Sequence, residues 1–278
     1  MKKVIITLAA IVFGAAAMSA QDKAQVTELF NSGAASLSNG EKTEALATFQ
    51  KVLSQATALG EDGLEIVQNC QNVIPNIIAS IAKDLFKDGK IDEAVAKLKE
   101  AVAASKEYGN EEEAAEDTKL IGQFLSQKGA NALNAKDFAT AVSAYKDVLA
   151  IEPENGTAAL RLGMALSATG DAEGAEEAFK QAAANGQEAA ANKQLGNLAL
   201  KGASAALKTK DYKTALEKAL QSAEINPSAN AFKIAGTAAA QLKQYKDAAN
   251  YFGKYLEINP SASDAAQIKA NIEAFKKL

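Results

Sequence analysis

One spacing of residue types recurs along the chain. Three of its four prolines close nearly identical strings, Ile151-Glu152-Pro153, Ile225-Asn226-Pro227 and Ile258-Asn259-Pro260. Eight residues before each proline stands Tyr145, Ala219 or Phe252, and four before that Ala141, Ala215 or Ala248. Twelve earlier again comes Gly129, Ala203 or Gly236. The same ladder, without the proline, fits Gly33, Ala45 and Phe49, then Ala82, Ala94 and Leu98, then Gly163, Ala175 and Phe179. Self-similarity at such intervals restricts the chain to a stack of like supersecondary units.

The spacing has a helical reading. An alanine and an aromatic residue four apart share one helix face. The small residue twelve earlier falls on a preceding helix, where a missing side chain lets two backbones approach. Gly40, Gly89 and Gly170 suit the left-handed position that closes a helix. Asp92, Asp137, Asp171 and Asp211 are placed to cap the next one. The prolines stop the second helix, because proline disfavours helical geometry in the residue before it. Each unit is therefore a helix-turn-helix hairpin of about 34 residues.

These ladders resemble tetratricopeptide repeats from about Val26 to Pro260. The early aromatic position of that pattern is weak, with Phe232 as its best stand-in, and Leu98 and Ala219 stand where an aromatic is usual. The resemblance implies an all-α fold, a right-handed superhelical solenoid of about six hairpins, spanning 21–260. The repeats fall near 26–59, 75–106, 122–155, 156–187, 196–228 and 229–260. The wide intervals between the first three imply lengthened helices or inserted turns, at Gly60 to Asn72 and at Gly109 to Asp117. Residues 261–278 read as a closing helix, with Ala266, Ile268, Ile272 and Phe275 covering the last hairpin. Stacked arrays need such caps to hide apolar surface.

Composition excludes several functions. With no His and one Cys, neither a Cys/His zinc site nor a histidine-dependent nucleophile can be assembled. No cofactor, metal or catalytic residue is expected. A formal net charge of −4 argues against nucleic acid as partner. Met1-Lys2-Lys3, an uncharged run from Val4 to Ala17 and small residues up to Ala20 read as a secretory signal over residues 1–20. That run is too short to span a membrane. Its removal leaves 28 basic against 34 acidic residues, a balance of −6. The mature protein is expected to be exported, periplasmic or outer-membrane-associated, without a membrane span. Cys70 reads as a small residue on a helix. The acidic run Glu111-Glu112-Glu113 to Asp117 reads as a solvated helix start that meets the positive end of the helix dipole, with a calcium site as the weaker alternative.

In the resembled family the first helix of each hairpin lines a concave groove that holds a peptide or a partner helix. Projecting the helical period onto those helices selects Leu160 and Met164, with Thr157; Asn197, Leu200 and Ser204; and Asn230, Lys233 and Thr237. Phe30, Ala34, Lys83, Gln123 and Ser126 extend the face into earlier repeats. Amides can bond a peptide backbone without reading its sequence, and Leu160, Met164 and Leu200 offer an apolar hold. Each aliphatic equally suits contact with a neighbouring repeat. Members of the family that grip a terminal carboxylate carry Lys and Asn where this chain has Phe30 and Ala34, and Arg161 is its one arginine. The sequence thus favours a non-enzymatic protein-binding scaffold of the bacterial cell envelope. A glycan-handling accessory module is the alternative, although the chain has no Trp and six Tyr for sugar platforms.

Overall fold

The computed structural model describes residues 20–278, so the expected export signal lies outside the described residues apart from its last position. Among the described residues there are thirteen α-helices and no strand. Six antiparallel pairs follow one another: α1 (Ala20–Ser38) with α2 (Lys42–Ala58), α3 (Leu64–Lys87) with α4 (Ile91–Glu107), α5 (Glu111–Asn134) with α6 (Phe138–Ile151), α7 (Gly156–Thr169) with α8 (Ala172–Ala182), α9 (Glu188–Lys208) with α10 (Tyr212–Ile225), and α11 (Ala229–Gln241) with α12 (Tyr245–Ile258). A last helix, α13 (Ala265–Phe275), closes the chain. The fold is all-α and built of helical hairpins. It divides into two compact units, one ending at Phe124 and one beginning at Leu125, both within α5.

The second helices share one buried stripe, with apolar residues recurring at intervals of three and four. It reads Ala45, Phe49, Val52 and Ala56 in α2, Ala141, Tyr145 and Val148 in α6, and Ala175, Phe179 and Ala182 in α8. The stripe of α12 is Ala248, Phe252 and Tyr255. Each ring lands on the small residue sixteen positions before it. A Cβ added at Gly129 would stand 2.7 Å from Tyr145 Cζ, one at Gly163 2.5 Å from Phe179 Cδ1, and one at Gly236 2.7 Å from Phe252 Cδ1. At Gly33 the nearest atom of Phe49 would be 3.3 Å away. The glycine notch therefore seats an aromatic ring, where the sequence suggested backbone meeting backbone. Where the ring is missing the notch is shallower. Ala203 faces Ala219 there, and Leu216, Leu220, Ile234 and Tyr251 pack around the pair.

Hairpin turns follow the same register. Gly40, Gly89 and Gly170 take positive φ, at 82°, 78° and 91°. The equivalent residues of the other three hairpins are Lys136, Lys210 and Lys243, left-handed without being glycine at 59°, 61° and 62°. Asp137, Asp171 and Asp211 cap α6, α8 and α10 by accepting from Thr140, Gly174 and Thr214 amides at 3.1, 2.9 and 3.2 Å. Asp92 does not cap: α4 opens after Lys90 and holds Asp92 in its first turn. Asn155 and Ser228 cap α7 and α11, which the sequence reading missed. Pro153, Pro227 and Pro260 all lie just past the ends of second helices.

Pro75 does not open a repeat. It is buried inside α3, which begins at Leu64 after a short 3₁₀ turn at Gly60–Gly63. Proline has no N–H for the carbonyl four residues earlier. The Asn110 side-chain amide, ahead of α5, donates to that Gln71 carbonyl at 3.2 Å and replaces the lost bond. The wide early intervals are thus taken up by long helices: α3 and α5 have 24 residues each, against 14 in α7. Cys70 is fully buried and its thiol is pushed up to about 11 by desolvation, which suppresses the reactive thiolate.

At the far end Ile268 packs with Phe252 and Tyr255, and Ile272 and Phe275 join them. Phe275 also stacks on Tyr245 at 5.4 Å. Ala266 contributes nothing to the cap and faces solvent. The second helix of one hairpin meets the first helix of the next at α2 with α3, α6 with α7, α8 with α9 and α10 with α11, and α13 occupies that place after α12.

Two stability measurements check this packing. Gly163→Ala is expected to cost ~1–3 kcal/mol by forcing the Phe179 ring outward, and Phe179→Leu in that background to cost less than it does alone, since Ala82 and Leu98 already form such a pair. Asn110→Ala is expected to cost about 1 kcal/mol in the parent and close to nothing beside Pro75→Ala, whose restored N–H serves Gln71; a double-mutant cycle in urea reads the coupling.

Candidate partner-binding face

Within the second compact unit α7 touches α9, and α9 touches α11. These are the first helices of three consecutive hairpins, and they carry all eight residues selected from the sequence. Each of those helices buries a stripe made mostly of small residues: Ala158, Ala159, Gly163 and Ala165 with Leu162 and Leu166 in α7, Ala191, Gly196, Ala199, Ala203 and Ala206 in α9, and Ala231, Ala235, Gly236, Ala238 and Ala239 in α11. None of the eight selected residues belongs to these stripes. Met164 is 43% exposed. Asn197 and Asn230 are exposed, and Leu160, Leu200, Ser204, Lys233 and Thr237 are half-buried. The helical period therefore separates core from free face.

The polar members of the face are partly committed. Ser204 Oγ donates to the Leu200 carbonyl at 2.9 Å, and Thr237 Oγ1 to the Lys233 carbonyl at 2.8 Å. Their hydroxyl protons are used within their own helices, leaving lone pairs to accept. Lys233 is engaged more strongly. Its ammonium pairs with Asp264 Oδ2 at 2.6 Å and stands 5.7 Å from the Tyr255 ring centre. Tyr255 donates its hydroxyl to the other Asp264 oxygen at 2.6 Å. The hydrogen bond from Lys233, then that from Tyr255, holds the Asp264 carboxyl below its usual range, and Lys233 is raised in turn by bonding to Asp264. Asp264 precedes α13, so this clasp fastens the closing helix to α11. No spacing in the repeat ladder pointed to it.

The earlier candidates divide. In the first unit Phe30 packs edge-on against Phe49, with ring centres 5.2 Å apart, and serves the core. Ala34 is half-buried; Lys83 and Gln123 are exposed. In the second unit Ser126 is half-buried and Thr157 is exposed, its hydroxyl accepting from Gln187 at 3.3 Å. Arg161 donates to the Tyr145 hydroxyl at 3.2 Å.

The acidic run is not wholly solvated. Glu111 and Glu112 are exposed, but Asp117 is 6% exposed and its Oδ2 has no hydrogen-bond partner. Burial raises its carboxyl above the usual range, Lys83 pulls it back and Glu116 adds to the rise. Burial also raises Glu113, helped by Asp117 and Glu116 and opposed by Asn76 and Lys83. Helical spacing alone could have flagged Asp117, since it stands three and four residues after buried Ala114 and before buried Ile121. Among the described residues no group of three or more Cys, Asp or Glu side chains is placed to hold a metal ion. No helix among them is long and apolar enough to cross a membrane.

Residues 132–198, from the end of α5 into α9, match the tetratricopeptide repeat family model. That stretch carries tetratricopeptide repeats. Among solved structures it is similar to a crystal structure of the MamA protein, at 21% identity over 56% of this chain and 83% of that one, with a TM-score of 0.40. A MamA from Desulfovibrio magneticus RS-1 is 20% identical over 68% of this chain and 97% of that one, TM-score 0.37. YrrB, described as a TPR protein with an unusual peptide-binding site, is 19% identical over 73% and 91%, TM-score 0.35. No curated protein matches the sequence. These similarities assign no role to any residue of this chain.

The buried Asp117 carboxylate makes a pH-dependent prediction. A carboxyl raised in the folded state costs nothing while both states are protonated. Its penalty grows as pH rises through the unfolded value of ~3.9 and is complete above the folded one. Asp117→Asn is expected to melt higher than the parent at pH 7, by about 1 kcal/mol, with the gap closing below about pH 4 in a series of thermal scans.

Proposed function

We propose that this tetratricopeptide-repeat protein is a non-enzymatic scaffold of the bacterial cell envelope that holds a polypeptide partner on the face shared by α7, α9 and α11. The observation that carries the reading is the separation on those helices. Their small residues are spent on the core, while Leu160 and Met164 on α7 and Leu200 on α9 retain access to water on two adjacent first helices. Asn197 and Asn230, both exposed, supply donors and acceptors for a partner's backbone. Such a face binds by apolar contact ringed with amides, and it needs no acid, base or metal. The export component of the proposal rests on the pattern of residues 1–20. The glycan reading draws no support from Tyr145, Phe179, Phe252 or Tyr255, whose rings are buried.

The test uses the chain purified after export. Against an envelope extract it is expected to retain a protein partner, and a Leu160→Asp/Met164→Asp/Leu200→Asp variant to lose it while keeping the parent's helical signal and melting temperature. Undiminished retention by that folded variant, or oligosaccharide as the sole captured species, overturns the proposal.

A further inference from the structure

A second feature of the second unit lies on the other side of α9. Between α8 and α10 is a cavity of about 330 Å³, floored by α9. At 100° per residue, Leu195, Leu198 and Gly202 of its floor stand opposite Asn197, Leu200 and Ser204. The cavity is therefore separate from the face proposed above. The turn at Ala183–Gln187, with Gly186 at φ 83°, sets α9 off from α8. No large side chain fills the gap, because α9 presents Ala199 and Gly202 toward it. At Gly202 the space of a missing Cβ is taken by the stem of Lys218, whose Cδ would be 2.8 Å away. Leu195 and Leu198 are left half-buried, in contact with both protein and water.

The rim is charged with opposite signs on opposite walls. α8 brings Glu173 and Glu176, while Lys201 comes from α9 and Lys218 from α10. Glu176 already pairs with Lys180 at 2.6 Å. Among the described residues no ion pair engages Glu173, Lys201 or Lys218. An apolar floor between an acidic and a basic wall matches an occupant of the inverse pattern. We propose that the notch takes one leucine-sized side chain of a partner polypeptide, flanked by a basic residue toward α8 and an acidic residue toward α9 and α10. Desolvation of Leu195 and Leu198 supplies the attraction, and the rim charges set the direction in which the partner lies. At about 330 Å³ the notch has room for a leucine side chain together with part of the backbone that carries it. The scaffold then has two faces for polypeptide, one on its first helices and one between second helices.

The test titrates the isotope-labelled full chain with acetyl-Lys-Leu-Glu-amide at millimolar concentration and follows backbone amide shifts. Shifts centred on Leu198, Gly202 and Lys218 are expected. They should weaken about fivefold in apparent affinity for acetyl-Lys-Leu-Lys-amide and acetyl-Glu-Leu-Glu-amide, and vanish for acetyl-Lys-Ala-Glu-amide. The exposed pair Glu173→Lys/Lys201→Glu should bind the mixed-charge peptide equally well in the reversed sense, whereas Glu173→Lys alone should weaken it. Silence at the notch amides, or equal binding of like-charged peptides, overturns the proposal. Shifts confined to Asn197 and Leu200 also overturn it, while leaving the first-helix face of the preceding section standing.

Discussion

A ring seated on a glycine sixteen residues earlier is the contact on which the hairpins depend. Phe49 on Gly33, Tyr145 on Gly129, Phe179 on Gly163 and Phe252 on Gly236 repeat it along the chain. The glycine costs the first helix something in backbone entropy, on the order of 1 kcal/mol against alanine. The ring it admits is fully buried and more than offsets that cost by removing a large apolar area from water. Notch and ring vary together: alanine at 82 is matched by leucine at 98, both fully buried, and Ala203 packs with Ala219. A hairpin with a shallower notch thus accepts a smaller guest, and larger neighbours fill in around it.

Because the core is made of such small-to-large fits, the first helices spend their alanines and glycines inward. Their other face carries Leu160, Met164, Leu200 and amides, while Leu162 and Leu166 of α7 join the small residues inside. The face proposed for a partner therefore arises from the same helical period that builds the core, and no residue on it has to carry strain or unusual chemistry. The exceptions are polar and local. Asp264 collects both Lys233 and Tyr255 and fastens α13, and Asn110 completes a helix interrupted by Pro75. Asp117, in the first unit, is a buried carboxylate with one oxygen left without a hydrogen bond.

Much of the fold was legible in the residues. The ladder of small residue, alanine and ring located the helices and the paired faces, because packing of like units forces like spacing. The glycines at 40, 89 and 170 marked left-handed turns. The lysines at 136, 210 and 243 occupy the same place, seven residues after each small position, yet lysine has no preference for that conformation and carried no signal by type. By sequence Ala266 reads as a covering residue, yet it faces water, since helical phase at a short terminal helix depends on where the helix starts. Asp92 and Pro75 misled for a related reason: an element's first residue is set by the turn before it.

Of the candidate face, residue type and period picked out the eight positions but not their engagement. That Lys233 is already bound, that Ser204 and Thr237 have turned their hydroxyl protons onto their own helices, and that Asp117 is enclosed are outcomes of which helix ends meet in space. The order of residues determined by itself that this chain folds into paired helices with an apolar interior, because periodicity of three and four acts locally along one helix. Only the tertiary structure decided which polar groups find partners and where a cavity remains open, because both depend on the separation of side chains far apart in sequence, which no local period encodes.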